Sequence, residues 1–150
     1  MIDRFEQLSF YIGSIYRHIH KIEKDVMQKY KLRGAFAQYL VALSHYPDGI
    51  TATKLCDICD KDKAATSRII SELEESDLIE RISKGTNSYR ANLLLTPKGK
   101  DVTDYVVHSV EHAVRKAGEG LCEEDRRIFY NTLRLIEGNL RGISNDGIED

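Results

Sequence analysis

Ile50-Thr51-Ala52-Thr53-Lys54-Leu55-Cys56-Asp57-Ile58-Cys59-Asp60-Lys61-Asp62-Lys63-Ala64-Ala65-Thr66-Ser67-Arg68-Ile69-Ile70-Ser71-Glu72-Leu73-Glu74-Glu75 is the stretch that decides the fold. Thr51 can cap a short helix that runs to about Cys59, with Leu55, Ile58 and Cys59 on its apolar side. Asp60-Lys61 makes a tight turn, and Asp62 opens a second helix to about Glu75. The second helix turns Thr66, Ile69, Ile70 and Leu73 inward, at the i, i+3, i+4, i+7 spacing of a half-buried helix. Two short helices joined by so short a turn form a helix-turn-helix.

Downstream, the period changes. Leu78-Ile79-Glu80-Arg81-Ile82 and Tyr89-Arg90-Ala91-Asn92-Leu93-Leu94-Leu95 read as strands, split by the turn-rich Ser83-Lys84-Gly85-Thr86-Asn87-Ser88. A β-hairpin therefore follows directly on the helix-turn-helix as a wing. Thr96 then serves as an N-cap with Pro97 at the first helical position. The helix that follows runs to about Ala117 and buries Val102, Val106, Val110, Ala113 and Ala117; Gly118 and Gly120 break it. A last helix starts near Cys122, which stands in for Ser as a weak cap. It carries Phe129, Leu133, Ile136, Leu140 and Ile143, and residues 142–150 form a frayed acidic tail.

Upstream, residues 35–46 read as a helix with Phe36, Tyr39, Leu40 and Leu43 on one face, stopped by Pro47-Asp48-Gly49. The first thirty residues repeat more regularly. Phe5, Leu8, Ile12, Ile15, Ile19, Ile22 and Val26 alternate steps of three and four, a heptad seam, and Asp3 with Glu6 suggests a capping box at its start. So long an apolar stripe needs a long partner surface, in a second molecule or in a bundle within the chain. The expected architecture is mainly α with a small β-hairpin wing, in one domain of 1–150. Residues 34–96 form the winged helix-turn-helix, and 1–33 and 97–150 form the flanking helical part.

Composition sets the limits. The chain has 150 residues, 41% hydrophobic and 31% charged, an ordinary globular balance that excludes collagen-like and disordered classes. No run approaches the ~18 apolar residues of a spanning helix. Met1-Ile2-Asp3-Arg4 lacks the pattern of a secretory signal, and three cysteines make no disulfide framework. A cytoplasmic protein is the expectation. The net charge of −2 is unevenly spread: +3 over residues 1–33, −2 over 34–60, +2 over 61–100 and −5 over 101–150. That distribution leaves room for a local basic face toward DNA and an acidic remote end.

With one face of the second helix turned inward, Ala64, Ala65, Ser67, Arg68 and Ser71 face outward. Small residues near a helix start let backbone approach a groove, Arg68 can read guanine with two donors, and Lys61 and Lys63 attract phosphates regardless of sequence. Lys84 and Arg90 on the wing can reach a neighbouring minor groove. The competing reading is a solvated helix and hairpin.

In order, Ile50 through Cys59, Asp62 through Glu74, Asp77-Leu78-Ile79-Glu80-Arg81 and Leu95-Thr96-Pro97-Lys98-Gly99-Lys100 resemble the MarR family of bacterial transcriptional regulators. The resemblance implies a homodimer of interlocked terminal helices, each subunit offering its winged part to half of a palindromic operator. It further implies repression released by an effector. The sequence departs from the family at the wing, where Asn87, Ser88 and Tyr89 stand at positions that often hold Asp and Arg. It departs again at the turn, where Asp60 stands in the place usually held by Gly and Lys61 in that of an apolar residue.

Other clusters invite chemistry. His108-Ser109-Val110-Glu111-His112 matches a zinc-hydrolase pattern, yet the helical wheel puts both His on the polar side and only 38 residues follow His112. Solvated histidines, or a metal-responsive regulator using His108 and His112, are the alternatives, and no cofactor is expected. Cys56 and Cys59 resemble a CxxC pair but occupy core positions. Tyr11, Tyr16, Phe36 and Tyr39 are the candidate lining of an effector pocket between winged part and helices, with core packing as the plainer alternative; nothing specifies a particular effector. A winged-helix protein-interaction module without DNA affinity is the contrasting functional class.

Overall fold

The computed structural model describes residues 2–83 and 91–147, without the side chains of Ile2 and Phe5. Their order is α1 (Ile2–Gln28), α2 (Phe36–Ser44), α3 (Ala52–Cys59), α4 (Lys63–Glu75), β1 (Ile79–Ile82), β2 (Asn92–Leu95), α5 (Pro97–Ala117) and α6 (Glu123–Asp146). The chain divides into two compact units, one ending at Glu111 and the other beginning at His112. Among the described residues no helix is long and apolar enough to cross a membrane.

Local chemistry sets the helix boundaries. Thr51 caps α3 by accepting from the Lys54 amide at 3.3 Å, and Asp62 caps α4 by accepting from the Ala65 amide at 2.8 Å. Thr96 Oγ1 accepts from the Gly99 amide at 2.9 Å and donates to the Asp77 carbonyl at 2.7 Å, which ties the start of α5 to the foot of the wing. Asp3, expected as the N-cap of α1, instead lies in its first turn and accepts from Gln7 Nε2. Helix α6 continues past Gly142, the expected start of the tail, to Asp146. Its N-cap is Cys122, whose amide donates to Asp125 at 3.1 Å; hydrogen bonds from the Cys122 thiol and amide hold the Asp125 carboxyl below its ordinary pKa.

In the first unit, Leu40, Leu43, Leu55, Ile70, Leu73, Leu78, Leu93, Val102 and Val106 form one buried core with Met27. The wing strands pair antiparallel, with Ile79 opposite Leu95 and Ile82 opposite Asn92. Ile50 adds a bridge to Leu93, made by two backbone hydrogen bonds of 3.2 and 2.8 Å, so the segment before α3 is stitched to the wing. Gly49 makes that approach possible: it sits at φ +80°, and a Cβ there would lie 2.7 Å from Leu94 Cδ1. Val102 and Val106 are buried as expected; Val110 and Ala113 are half-buried, and Ala117 is exposed. The apolar stripe of α1 remains exposed from Leu8 to Ile22, and α6 has no buried residue.

The turn between α3 and α4 adopts a backbone conformation that favours glycine. Asp60 is left-handed, at φ 50° and ψ 51°, and its amide bonds back to Asp57 O at 3.2 Å. A side chain carries a conformational penalty there. Asp60→Gly is expected to stabilise the protein by about 0.5 kcal/mol, read as a raised midpoint in urea denaturation with an unchanged slope.

Candidate nucleic-acid interface

Helix α4 is held on one side and open on the other. Thr66, Ile69, Ile70 and Leu73 are buried; Lys61, Lys63, Ala64, Ser67, Arg68 and Ser71 are exposed, and Ala65 is intermediate. The division follows from the 3.6-residue period that the sequence carries. Three links orient the rod. The Tyr39 hydroxyl meets Thr66 Oγ1 at 3.2 Å in the buried seam with α2; Arg33, before α2, pairs with Glu72; and Arg81 of β1 grips Glu74 through two bonds of 2.7 and 3.0 Å. The Glu72 and Glu74 carboxylates are thus occupied by arginines behind the outward face.

On that face Ser71 Oγ donates to the Ser67 carbonyl at 3.2 Å, and among the described residues Arg68 has no ion-pair partner. The guanidinium is therefore available to an outside acceptor. Between Lys63 and Arg68 the outward side chains, Ala64, Ala65 and Ser67, are small, so a duplex groove can close on the backbone of the first two turns. Lys84 and Arg90, the expected wing contacts, lie outside the described residues.

The four aromatic residues expected around an effector are not brought together. Tyr11 and Tyr16 are exposed on α1, Phe36 is buried in the core, and Tyr39 alone lines a cleft of about 960 Å³ between α1, α2 and the start of α4. The other walls of this cleft mix apolar and neutral residues with the basic side chains of Lys24, Lys31 and Arg33. Sequence reasoning missed these residues. They lie 28 or more positions before Lys61, and the only signal was the surplus of basic residues before position 34.

Cys56 and Cys59 are both buried. The Cys56 thiol donates to the Lys61 carbonyl at 2.9 Å, and burial pushes the Cys59 thiol up to about 11. Both side chains sit in the core, and the Cys59 thiol stays protonated at neutral pH, which leaves it without the nucleophilic thiolate. His108 and His112 are exposed on α5, and among the described residues no group of three His, Cys, Asp or Glu side chains is placed to hold a metal ion.

Comparison with known proteins agrees with this geometry. Residues 33–87 match the sequence profile of the MarR family. The HTH-type transcriptional regulator BilQ of Clostridioides difficile (strain CD3) is 29% identical over 105 residues, and the match spans 66% of this chain and 66% of BilQ. The crystal structure of the transcriptional regulator SlyA superposes with a TM-score of 0.81 at 26% identity, over 89% of this chain and 93% of SlyA. A MarR-family protein from Listeria monocytogenes, solved with a 26mer DNA, has a TM-score of 0.80 at 24% identity over 93% and 94% of the two chains; that likeness is one of fold.

Proposed function

We propose that the chain is a transcriptional regulator of the MarR family, which its similarity to that family's profile and to SlyA supports, and that it binds double-stranded DNA with sequence specificity. It works as a homodimer on a palindromic operator, in the cytoplasm, as an effector-responsive repressor. Residues 34–96 supply the DNA-binding part, and 1–33 with 97–150 supply the dimerisation part. The observation that carries this reading is the two-sided character of α4: one flank is locked into the core, while Lys61, Lys63, Ala64, Ser67, Arg68 and Ser71 stand open on the other. The apolar stripes left exposed on α1 and α6 support the dimer, because monomers rarely display so much contiguous apolar surface. The likeness of fold to a protein solved with DNA points the same way.

In this arrangement α4 enters the major groove. Lys61 and Lys63 neutralise phosphates, Ala64 and Ala65 allow close approach, Ser67 and Ser71 offer hydroxyls, and Arg68 reads a base edge. Lys84 and Arg90 complete the contact from the wing. Half-sites lie about one helical turn apart, because a twofold dimer presents its two α4 helices that way.

The test is selection of bound sequences from random duplex DNA, followed by titration of the selected operator at fixed salt. Arg68→Ala is expected to weaken specific binding by about 1–3 kcal/mol and to relax preference at one base position per half-site. Equal affinity of the variant and the parent would strike Arg68 from the reading set. A protein-interaction module would instead show no steep loss of DNA affinity with rising salt.

A further inference from the structure

Helix α4 carries both the arginine proposed to read a base and a carboxylate placed to neutralise it. Four positions neighbour Arg68 on the helix surface, Ala64, Ala65, Ser71 and Glu72, and only Glu72 bears the opposite charge. Arginine and glutamate four residues apart on an exposed helix form a weak ion pair when nothing else claims either group. Here something does. The Glu72 carboxylate is taken by Arg33, which stands 39 residues earlier in the chain. Among the described residues Arg68 has no ion-pair partner.

The hold on Glu72 comes from outside α4 and is set by the fold of the first unit. The Arg33 carbonyl accepts from the Phe36 amide at 3.0 Å in the turn that opens α2, and the guanidinium lies 5.9 Å from the centre of the Phe36 ring. Phe36 belongs to the core, so packing fixes the root of the Arg33 side chain. Gly34 beside it rests on α1, where a Cβ would come 3.0 Å from Lys24 Cα. The remaining carboxylates of the helix do not compete for Arg68: Glu74 is gripped by Arg81, and Glu75 lies seven residues on, two turns away. Arg33 and Glu72 keep 60% and 35% of their side-chain surface in water, so this pair can exchange partners without opening the core.

We propose that Arg33 is a positioning residue for DNA recognition: by occupying Glu72 it keeps the Arg68 guanidinium free for an acceptor in the groove. The inference rests on the operator contact proposed for Arg68. Without Arg33, Glu72 turns to Arg68, its neighbour one turn back. That engages the donors of the reading arginine and leaves an uncompensated carboxylate beside the DNA phosphates. Exposed ion pairs are weak, so the effect is a modulation of operator affinity by about threefold to fivefold rather than its loss.

The test is a double-mutant cycle on the full chain, with Arg33→Gln, Glu72→Gln and the two together titrated against the selected operator over a range of salt. Arg33→Gln is expected to weaken binding about threefold to fivefold and to lower the slope of log affinity against log salt by about one. In the Glu72→Gln background the same change has no effect. A direct contact of Arg33 with DNA would give equal losses in both backgrounds, and a purely structural role would lower the folding midpoint while leaving the salt slope alone. Either result overturns the proposal. A second readout needs no DNA: in Arg33→Gln the Arg68 Nε–H resonance, followed by NMR, shows restricted motion that adding Glu72→Gln abolishes. A resonance indifferent to Arg33→Gln overturns the proposal whatever the operator does. Parental operator affinity in Arg68→Ala overturns it by a different route, because the operator contact itself then fails while the exchange of partners on α4 is still read from the resonance.

Discussion

For the proposed homodimer, Ile15→Asp combined with Ile19→Asp is expected to convert dimer to monomer and to lower affinity for the proposed palindromic operator by about a hundredfold or more. The five stripe residues Leu8, Ile12, Ile15, Ile19 and Ile22 keep between 37% and 47% of their surface in water, on a helix whose other end, at Met27, is fully buried. A regular apolar seam left open in this way is stabilised by a partner at about 25 cal/mol per Å² removed from water. Two aspartates per subunit place four carboxylates in that seam, and each uncompensated buried charge costs several kcal/mol. The proposed dimer contact cannot absorb that loss. Binding of the second half-site then ceases to be intramolecular, and the gain from linking the two sites disappears.

Sedimentation equilibrium reads the first effect, and titration of the selected operator reads the second. The helical circular dichroism signal should persist, because neither isoleucine belongs to the buried core of the first unit. A variant that remains dimeric would move the interface off the α1 seam. One that becomes monomeric and still binds the palindrome at parental affinity would remove the dimer from the mechanism.

Gly99→Ala is the second large effect, and its cause is steric. A Cβ on Gly99 would lie 1.9 Å from the Leu78 carbonyl oxygen, far inside van der Waals contact, and the obstacle is backbone rather than a movable side chain. Neither partner can yield cheaply. Leu78 is fully buried, and its carbonyl accepts from the Thr96 amide at 3.1 Å. Thr96 Oγ1 is committed to Asp77 and to Gly99 itself, while Thr103 Oγ1 donates to the Gly99 carbonyl at 2.6 Å. Moving α5 outward by the required distance breaks this set of bonds and opens the core around Val102. The expected loss is about 3 kcal/mol, seen as a midpoint lower by roughly 10 °C in calorimetry. Pro97-Lys98-Gly99 thus matters for the joint between wing and helix rather than for contact with a ligand.

Much of the first unit was legible from short-range patterns. Thr51, Asp62 and Thr96 cap the helices that their positions announce, because capping joins a side chain to an amide only three residues on. The inward set Thr66, Ile69, Ile70 and Leu73 follows from helical period alone, and its complement is the exposed face. Asp3 misled for the same reason that made the other caps readable: its motif is sound, but the helix begins at Ile2, two residues before the start such a cap implies, and uses the carboxylate for Gln7. The four aromatics lie apart within the chain, a placement that sequence could not give, because helical spacing cannot tell a residue lining a cavity from one buried in a core or left on an open stripe.

By itself, then, the order of residues determined which segments coil, where they stop and which flank of α4 is polar, since each depends on neighbours within about one turn. Only the folded chain decided the stitching of Ile50 to Leu93, the contact of Gly99 with Leu78 and the placing of Lys24, Lys31 and Lys61 around one cleft. Those pairings join residues that the sequence separates by many turns. What brings them together is burial of one shared apolar core, a property of the whole unit that no local window contains.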